Sequence, residues 1–233
     1  MQKTSCLKQG VFFFYKRLIA KDSQRNGGSH LKRHWFSIEE IKGILITNIK
    51  RRYDMDTSNM NADKVNVTYG FKIGPESAPV KVIEFINLAC PYCKKWYFDT
   101  KDLLNEYVQE GKVQRVIKLF DKEKPSLKRG NVLHHHLDYK KPEEALMEID
   151  YLLAHQNEWG MLKSHEEIAE YAVEKRGLTH QPNEIEINGI LNETKEANVF
   201  FVPSVFIGEN IFDENISLEE LKTIIDSEYE KNK

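Results

Sequence analysis

Cys90 and Cys93 are two of the three cysteines in the chain, and they stand three residues apart in "NLACPYCKKW", residues 87–96. A thiol attacks as its thiolate, and a cysteine at a helix N-terminus faces unpaired N–H groups and the positive end of the dipole, so its pKa falls. If the run after Cys90 is a helix, Cys90 holds that position. Cys93 lies one turn further in, close enough to resolve a mixed disulfide by attacking Cys90. Pro91 suits a first turn, which needs no N–H. Tyr92, the other residue between the sulfurs, lends no positive charge to a thiolate; Lys94 and Lys95 just beyond can supply part of it. The chemistry implied is thiol–disulfide exchange.

Zinc is the competing reading of a Cys-x-x-Cys pair. A structural zinc site takes four ligands, usually as two such halves, and this chain has no second half. The run His134-His135-His136 reads as partly exposed helix histidines, whose side chains point about 100° apart and cannot converge on one ion. No metal and no cofactor is expected.

Two further residues strengthen the dithiol reading. Glu84 lies six residues before Cys90 inside the apolar run "VKVIEFIN". A carboxyl there is expected to be half-buried with a raised pKa, which suits a group taking a proton from the buried second thiol. The alternative is an edge-strand glutamate pointing at water. Pro203 sits within the strand-like "VFFVPSVFIG", and a proline there requires a cis bond or an edge position. A cis Val202–Pro203 bond would offer the Val202 backbone to an extended peptide.

The elements that must position these residues follow from hydrophobic period and punctuation. "VKVIEFIN" (Val80–Asn87) reads as a buried strand. A helical stripe of Trp96, Leu103, Leu104, Tyr107 and Val108 follows, stopped by Gly111. "KVQRVIKLFD" (Lys112–Asp121) is a second strand. Residues 126–197 break into helical pieces: "SLKRGNVLHHHLDY", "PEEALMEIDYLLAHQNEW", "SHEEIAEYAVEKRG" with a Ser164–Glu167 capping box, and "NEIEINGILNETKEANV". Strand signal returns at Val199–Gly208, then "IFDE" completes a hairpin. "SLEELKTIIDSEYEK" closes the chain as a helix with a Ser217–Glu220 box. The order is β, α, β, helical block, β, β, α.

With "EFINLACPYC", the Val202–Pro203 step and the helical block in place, the chain resembles the thioredoxin superfamily, and within it the DsbA-like branch. The resemblance covers about residues 71–233. It implies an α/β, thioredoxin-like fold with an inserted helical subdomain. It also implies Cys90 as nucleophile, Cys93 as resolving thiol, Glu84 as the buried proton-relay carboxylate and Pro203 as the cis-proline against the dithiol. Val202, Pro203, Pro91 and Tyr92 are then the residues expected to meet substrate. Periplasmic relatives typically carry histidine where this chain has Tyr92, so a cytoplasmic member kept reduced fits better than a strong secreted oxidant. The function expected is a thiol–disulfide oxidoreductase acting on protein or small-molecule disulfides. The alternative is a cytoplasmic DsbA-like adaptor presenting a partner protein, and a glutathione-transferase-like reading is weaker because it would not usually need two cysteines.

The rest of the chain sets limits. With 233 residues, 40% hydrophobic and 30% charged, it is long enough for one domain with a sizeable core. Three cysteines are too few for a disulfide scaffold. No apolar run approaches the ~20 residues of a membrane span, and "GVFFFY" near the start is too short for a secretory signal. A monomer without stable membrane association or nucleic acid is expected. Residues 1–54 carry twelve Lys and Arg against four acids, net +8, and the remainder is −10. Such a change of sign marks a boundary. The basic segment reads as a nucleic-acid or lipid-binding arm, a disordered tail, or an extension ahead of a true start at Met55; the last is favoured, and Cys6 within it is given no role. A thioredoxin-like domain is expected over 55–233.

Overall fold

The computed structural model describes residues 56–233; the basic segment, Cys6 and Met55 lie outside the described residues. Five strands form one sheet in the order β1-β3-β2-β4-β5. They are β1 (Phe71–Ile73), β2 (Val80–Ile86), β3 (Val113–Leu119), β4 (Ser204–Ile207) and β5 (Asn210–Phe212). β2 and β3 run parallel, and the other neighbours are antiparallel. A parallel pair needs a crossover, and α1 (Pro91–Gln109) supplies it. Both central strands are buried along nearly their whole length, as strands covered on both faces are, and their polar members Glu84, Gln114, Arg115 and Lys118 are buried with them.

Period-two alternation sorts β2 into two faces. Val82 and Ile86 join Trp96, Tyr97 and Leu104 of α1 and Leu221 and Ile225 of α7 (Leu218–Asn232) in the larger core. Ile83 and Phe85 turn to the opposite face, with Val116, Ile190 and Phe206. Glu84 shares its parity with Val82 and Ile86, so it is aimed at α1.

Between β3 and β4 lie α2 (Pro125–His134), α3 (Pro142–Ala154), α4 (Gln156–Trp159), α5 (His165–Arg176) and α6 (Glu184–Glu196). The result is the α/β architecture with an inserted helical subdomain. The local signals act as expected. Pro125 and Pro142 open helices at positions where no N–H is needed. The Ser164 and Ser217 hydroxyls accept from the N–H groups of Glu167 and Glu220. The Glu167 carboxylate returns to the Lys163 N–H, one residue before the cap. Gly177 ends α5 at φ +66°, a left-handed conformation that glycine adopts without a Cβ penalty.

Four details differ from the sequence reading. β1 was not foreseen, because three residues are too few to show a period. The strand expected over Val199–Gly208 shrinks to Ser204–Ile207. Pro203 has no N–H for a ladder, so pairing starts after it. The single helix expected from Pro142 to Trp159 breaks at His155. The histidine run lies at the end of α2 rather than within a longer helix, and His134 and His136 are buried rather than partly exposed. Burial is tolerated because each ring is satisfied: His134 by Asp121, and His136 by the Val132 carbonyl.

Candidate active site

Cys90 is the N-cap of α1, in extended conformation, and Pro91 occupies the first turn. The Cys90 pKa is lowered to about 7. The largest cause is the hydrogen bond that the Cys93 side chain gives its sulfur; burial opposes it, and the backbone N–H groups of Cys93 and Tyr92 reinforce it. In its protonated form Cys90 donates to the Val202 carbonyl at 3.3 Å. Its exposure is 4%, while Cys93 has none. Burial, then the hydrogen bond to Cys90 and that sulfur's charge, pushes the Cys93 thiol well above its ordinary pKa. The Asn87 N–H reaches the Cys93 sulfur at 3.4 Å. One sulfur is thus acidic and only slightly exposed, and its neighbour is protonated and fully enclosed.

The Val202–Pro203 bond is cis, and the Val202 carbonyl makes this segment a direct neighbour of Cys90. Tyr92 is exposed at the rim, as is Pro91. Lys94 and Lys95 bond elsewhere: Lys94 to the Ala154 carbonyl, Lys95 to the Glu214 carbonyl and to Asp99.

Glu84 is fully buried, and β2 is an interior strand, so it is no edge residue facing water. Where the sequence suggested a half-buried carboxyl, both carboxylate oxygens are engaged. Arg115 donates to them from Nε at 2.8 Å and Nη2 at 3.1 Å, and Trp96 Nε1 donates at 2.8 Å. The register explains the pair. Val82 is opposite Arg115 and Glu84 opposite Ile117 on the parallel strand, so Glu84 and Arg115 are diagonal neighbours on one face.

Sequence reasoning missed Arg115, although a basic residue inside "KVQRVIKLF" was a readable signal. It also missed Glu214. That half-buried carboxyl has its pKa raised by burial, and its charge opposes ionisation of both Cys90 and Cys93. It lines a cleft with Trp96, Asp99, Thr100, Ile216 and Leu218. Nothing in "FDENIS" marks it as part of a site. Lys122, also missed, hydrogen-bonds the Phe200 carbonyl at 2.7 Å. Burial lowers its pKa, and the Cys90 charge acts against that. Among the described residues, no group of three or more His, Cys, Asp or Glu is arranged to hold a metal ion.

An acidic thiol with a narrow opening to solvent beside a fully buried, protonated one is an arrangement suited to attack on a disulfide followed by intramolecular resolution. A family model described as thioredoxin matches residues 66–227, a span that includes every site residue above. A solved structure from Enterococcus faecalis, a conserved protein of unknown function, is 49% identical, with a TM-score of 0.72; the match covers 74% of this chain and 98% of that one. The α-DsbA1 of Wolbachia pipientis is 15% identical at a TM-score of 0.50, covering 73% of this chain and 96% of that one, a likeness of fold. A Bacillus cereus protein named probable disulfide bond formation protein D is 38% identical over 61 residues, 24% of this chain. The chain spans 28% of the length of that curated relative.

Proposed function

The chain belongs to the thioredoxin superfamily, with a DsbA-like fold, and from that premise we propose that it is a thiol–disulfide oxidoreductase working through Cys90 and Cys93. The Cys90 thiolate attacks one sulfur of a disulfide; a Cys90–substrate bond forms as the substrate S–S bond breaks, and the first substrate thiolate leaves. Cys93 then loses its proton and attacks the Cys90 sulfur, which expels the second substrate thiolate. Two electrons and two protons pass from the dithiol to the substrate, and the reverse sequence oxidises a substrate dithiol. Protein or small-molecule disulfides are the substrates.

The observation that carries this reading is the division of labour between the sulfurs: Cys90 lowered to about 7 and Cys93 pushed up and enclosed. At neutral pH about half of Cys90 is thiolate. The test is equilibration in glutathione buffers, together with a Cys93→Ala variant. Wild type should oxidise to an intramolecular Cys90–Cys93 disulfide, and the variant should accumulate mixed disulfides at Cys90. Wild type that stays a dithiol across the whole glutathione range would overturn the proposal.

A further inference from the structure

The dithiol loop, residues 87–90, is held by side chains of the helical insertion. The Leu88 N–H donates to His134 Nε2 at 3.2 Å. That nitrogen therefore carries no proton, and Nδ1–H is the donor to Asp121 Oδ1 at 2.6 Å. His135 binds the other Asp121 oxygen at 2.9 Å. Burial works against the Asp121 charge, but the bonds from His134 and His135 hold its pKa at about 2, so the acceptor that fixes the His134 tautomer stays ionised. At the next peptide, Gln156 Nε2 donates to the Leu88 carbonyl at 2.7 Å, and it also donates to the Cys90 carbonyl at 3.1 Å. Between the two, Gly130 of α2 lies so close that a Cβ there would stand 2.7 Å from the Ala89 nitrogen.

We propose that His134 and Gln156 are positioning residues that hold the Leu88 backbone, one by its N–H and one by its carbonyl, and thereby set the reactivity of Cys90. The link is geometric. The Cys93 thiol and the N–H groups of Cys93 and Tyr92 stabilise the Cys90 thiolate only while its sulfur is held over the first turn of α1. The Cys90 carbonyl is the anchor of that turn, accepting from the Lys94 N–H at 3.1 Å as well as from Gln156. A loop freed at either group lets the sulfur drift from the Cys93 thiol and the N–H groups, and its acidity relaxes toward that of a free thiol. The inserted subdomain is thus part of the redox centre although it contributes no sulfur.

The inference rests on Cys90 being the reactive thiol of the proposed function, but its test does not require turnover. Alkylation of Cys90 by iodoacetamide is followed from pH 5 to 10 in the full-length reduced protein, with the site identified by peptide mass. In His134→Leu and in Gln156→Met, the midpoint should rise from near 7 toward about 8.5. The rate at pH 7 then falls by up to about 15-fold, and the rate at pH 10 is unchanged. His134→Gln, which keeps an acceptor oxygen, should recover much of the loss. A midpoint unchanged in both variants would overturn the proposal, as would a rate that rises at every pH, the signature of mere loosening. If His134→Leu does not fold, Gln156→Met leaves the Asp121–His134 chain intact and decides alone. A protein that exchanges no disulfide would sink the oxidoreductase reading while leaving these midpoints to be measured.

Discussion

Glu84 and Arg115 meet as a two-pronged ion pair between parallel strands, each side chain 1% exposed. Neither charge has water as a substitute partner. Removing one leaves the other uncompensated in the core, which costs about 3–5 kcal/mol. Arg115→Met should therefore destabilise the protein by about that amount in urea denaturation. The Glu84→Gln, Arg115→Met double variant should recover part of the loss, because no unpaired charge remains. A single variant as stable as wild type would show that the pair contributes no stability.

Thiol acidity dictates the order of labelling. Cys90 should alkylate first near neutral pH, with a midpoint near 7, and Cys93 should resist until the chain is unfolded. The groups acting on Cys90 are the Cys93 thiol and N–H, the Tyr92 N–H, Glu214 and Lys122. The depressed Cys90 pKa stabilises the reduced fold fully above the unfolded thiol's pKa, and that contribution is lost as pH falls through about 7. Peptide mapping after brief labelling is the measurement; preferential modification of Cys93 would reverse the assignment of roles.

Glu214 should act as a brake. Its carboxylate opposes the Cys90 thiolate, so Glu214→Gln should lower the Cys90 midpoint and make the disulfide more oxidising. The group is half-buried, so the effect is that of a screened charge, between about 1.4- and 5-fold in the glutathione equilibrium constant. A shift toward a more reducing disulfide contradicts this sign.

The residue between the cysteines should set much of the poise. A Cys90 pKa of about 7 is near that of thioredoxin and far above the ~3.5 of DsbA. The potential should accordingly lie in the more reducing half of the interval from about −270 to −120 mV. Tyr92→His adds a charge that favours the thiolate and should raise the potential. Glutathione titration of both proteins decides it; a wild-type value near −120 mV, or a downward shift in the variant, defeats the argument.

The sequence carried the dithiol and its frame because those features are local. A proline after Cys90, an apolar stripe to Val108 and two apolar strands each lie within one short window. What it hid depends on distant partners. Glu84 was visible as a misplaced carboxyl, but its state depends on Arg115 and on a strand register. His134 read as a partly exposed histidine because it opens a run of three histidines; its acceptor role exists only once Leu88 and Asp121 are brought to it. Glu214 carries no local mark, since only the position of the last loop beside the thiols gives it influence. Pro203 was legible as an anomaly, yet it stands just before a strand rather than interrupting one.

The long sequence separation of the dithiol's supports has a consequence for the chain as it is made. Leu88 waits for His134, 46 residues later, and Cys90 waits for Gln156 at 66 and Val202 at 112. At about 5–20 residues per second, synthesis spends on the order of ten seconds between the dithiol and its last neighbour. Through that interval the nascent chain carries two cysteines whose loop lacks its distant supports. The full set of contacts around the two thiols is therefore completed only after translation has passed them.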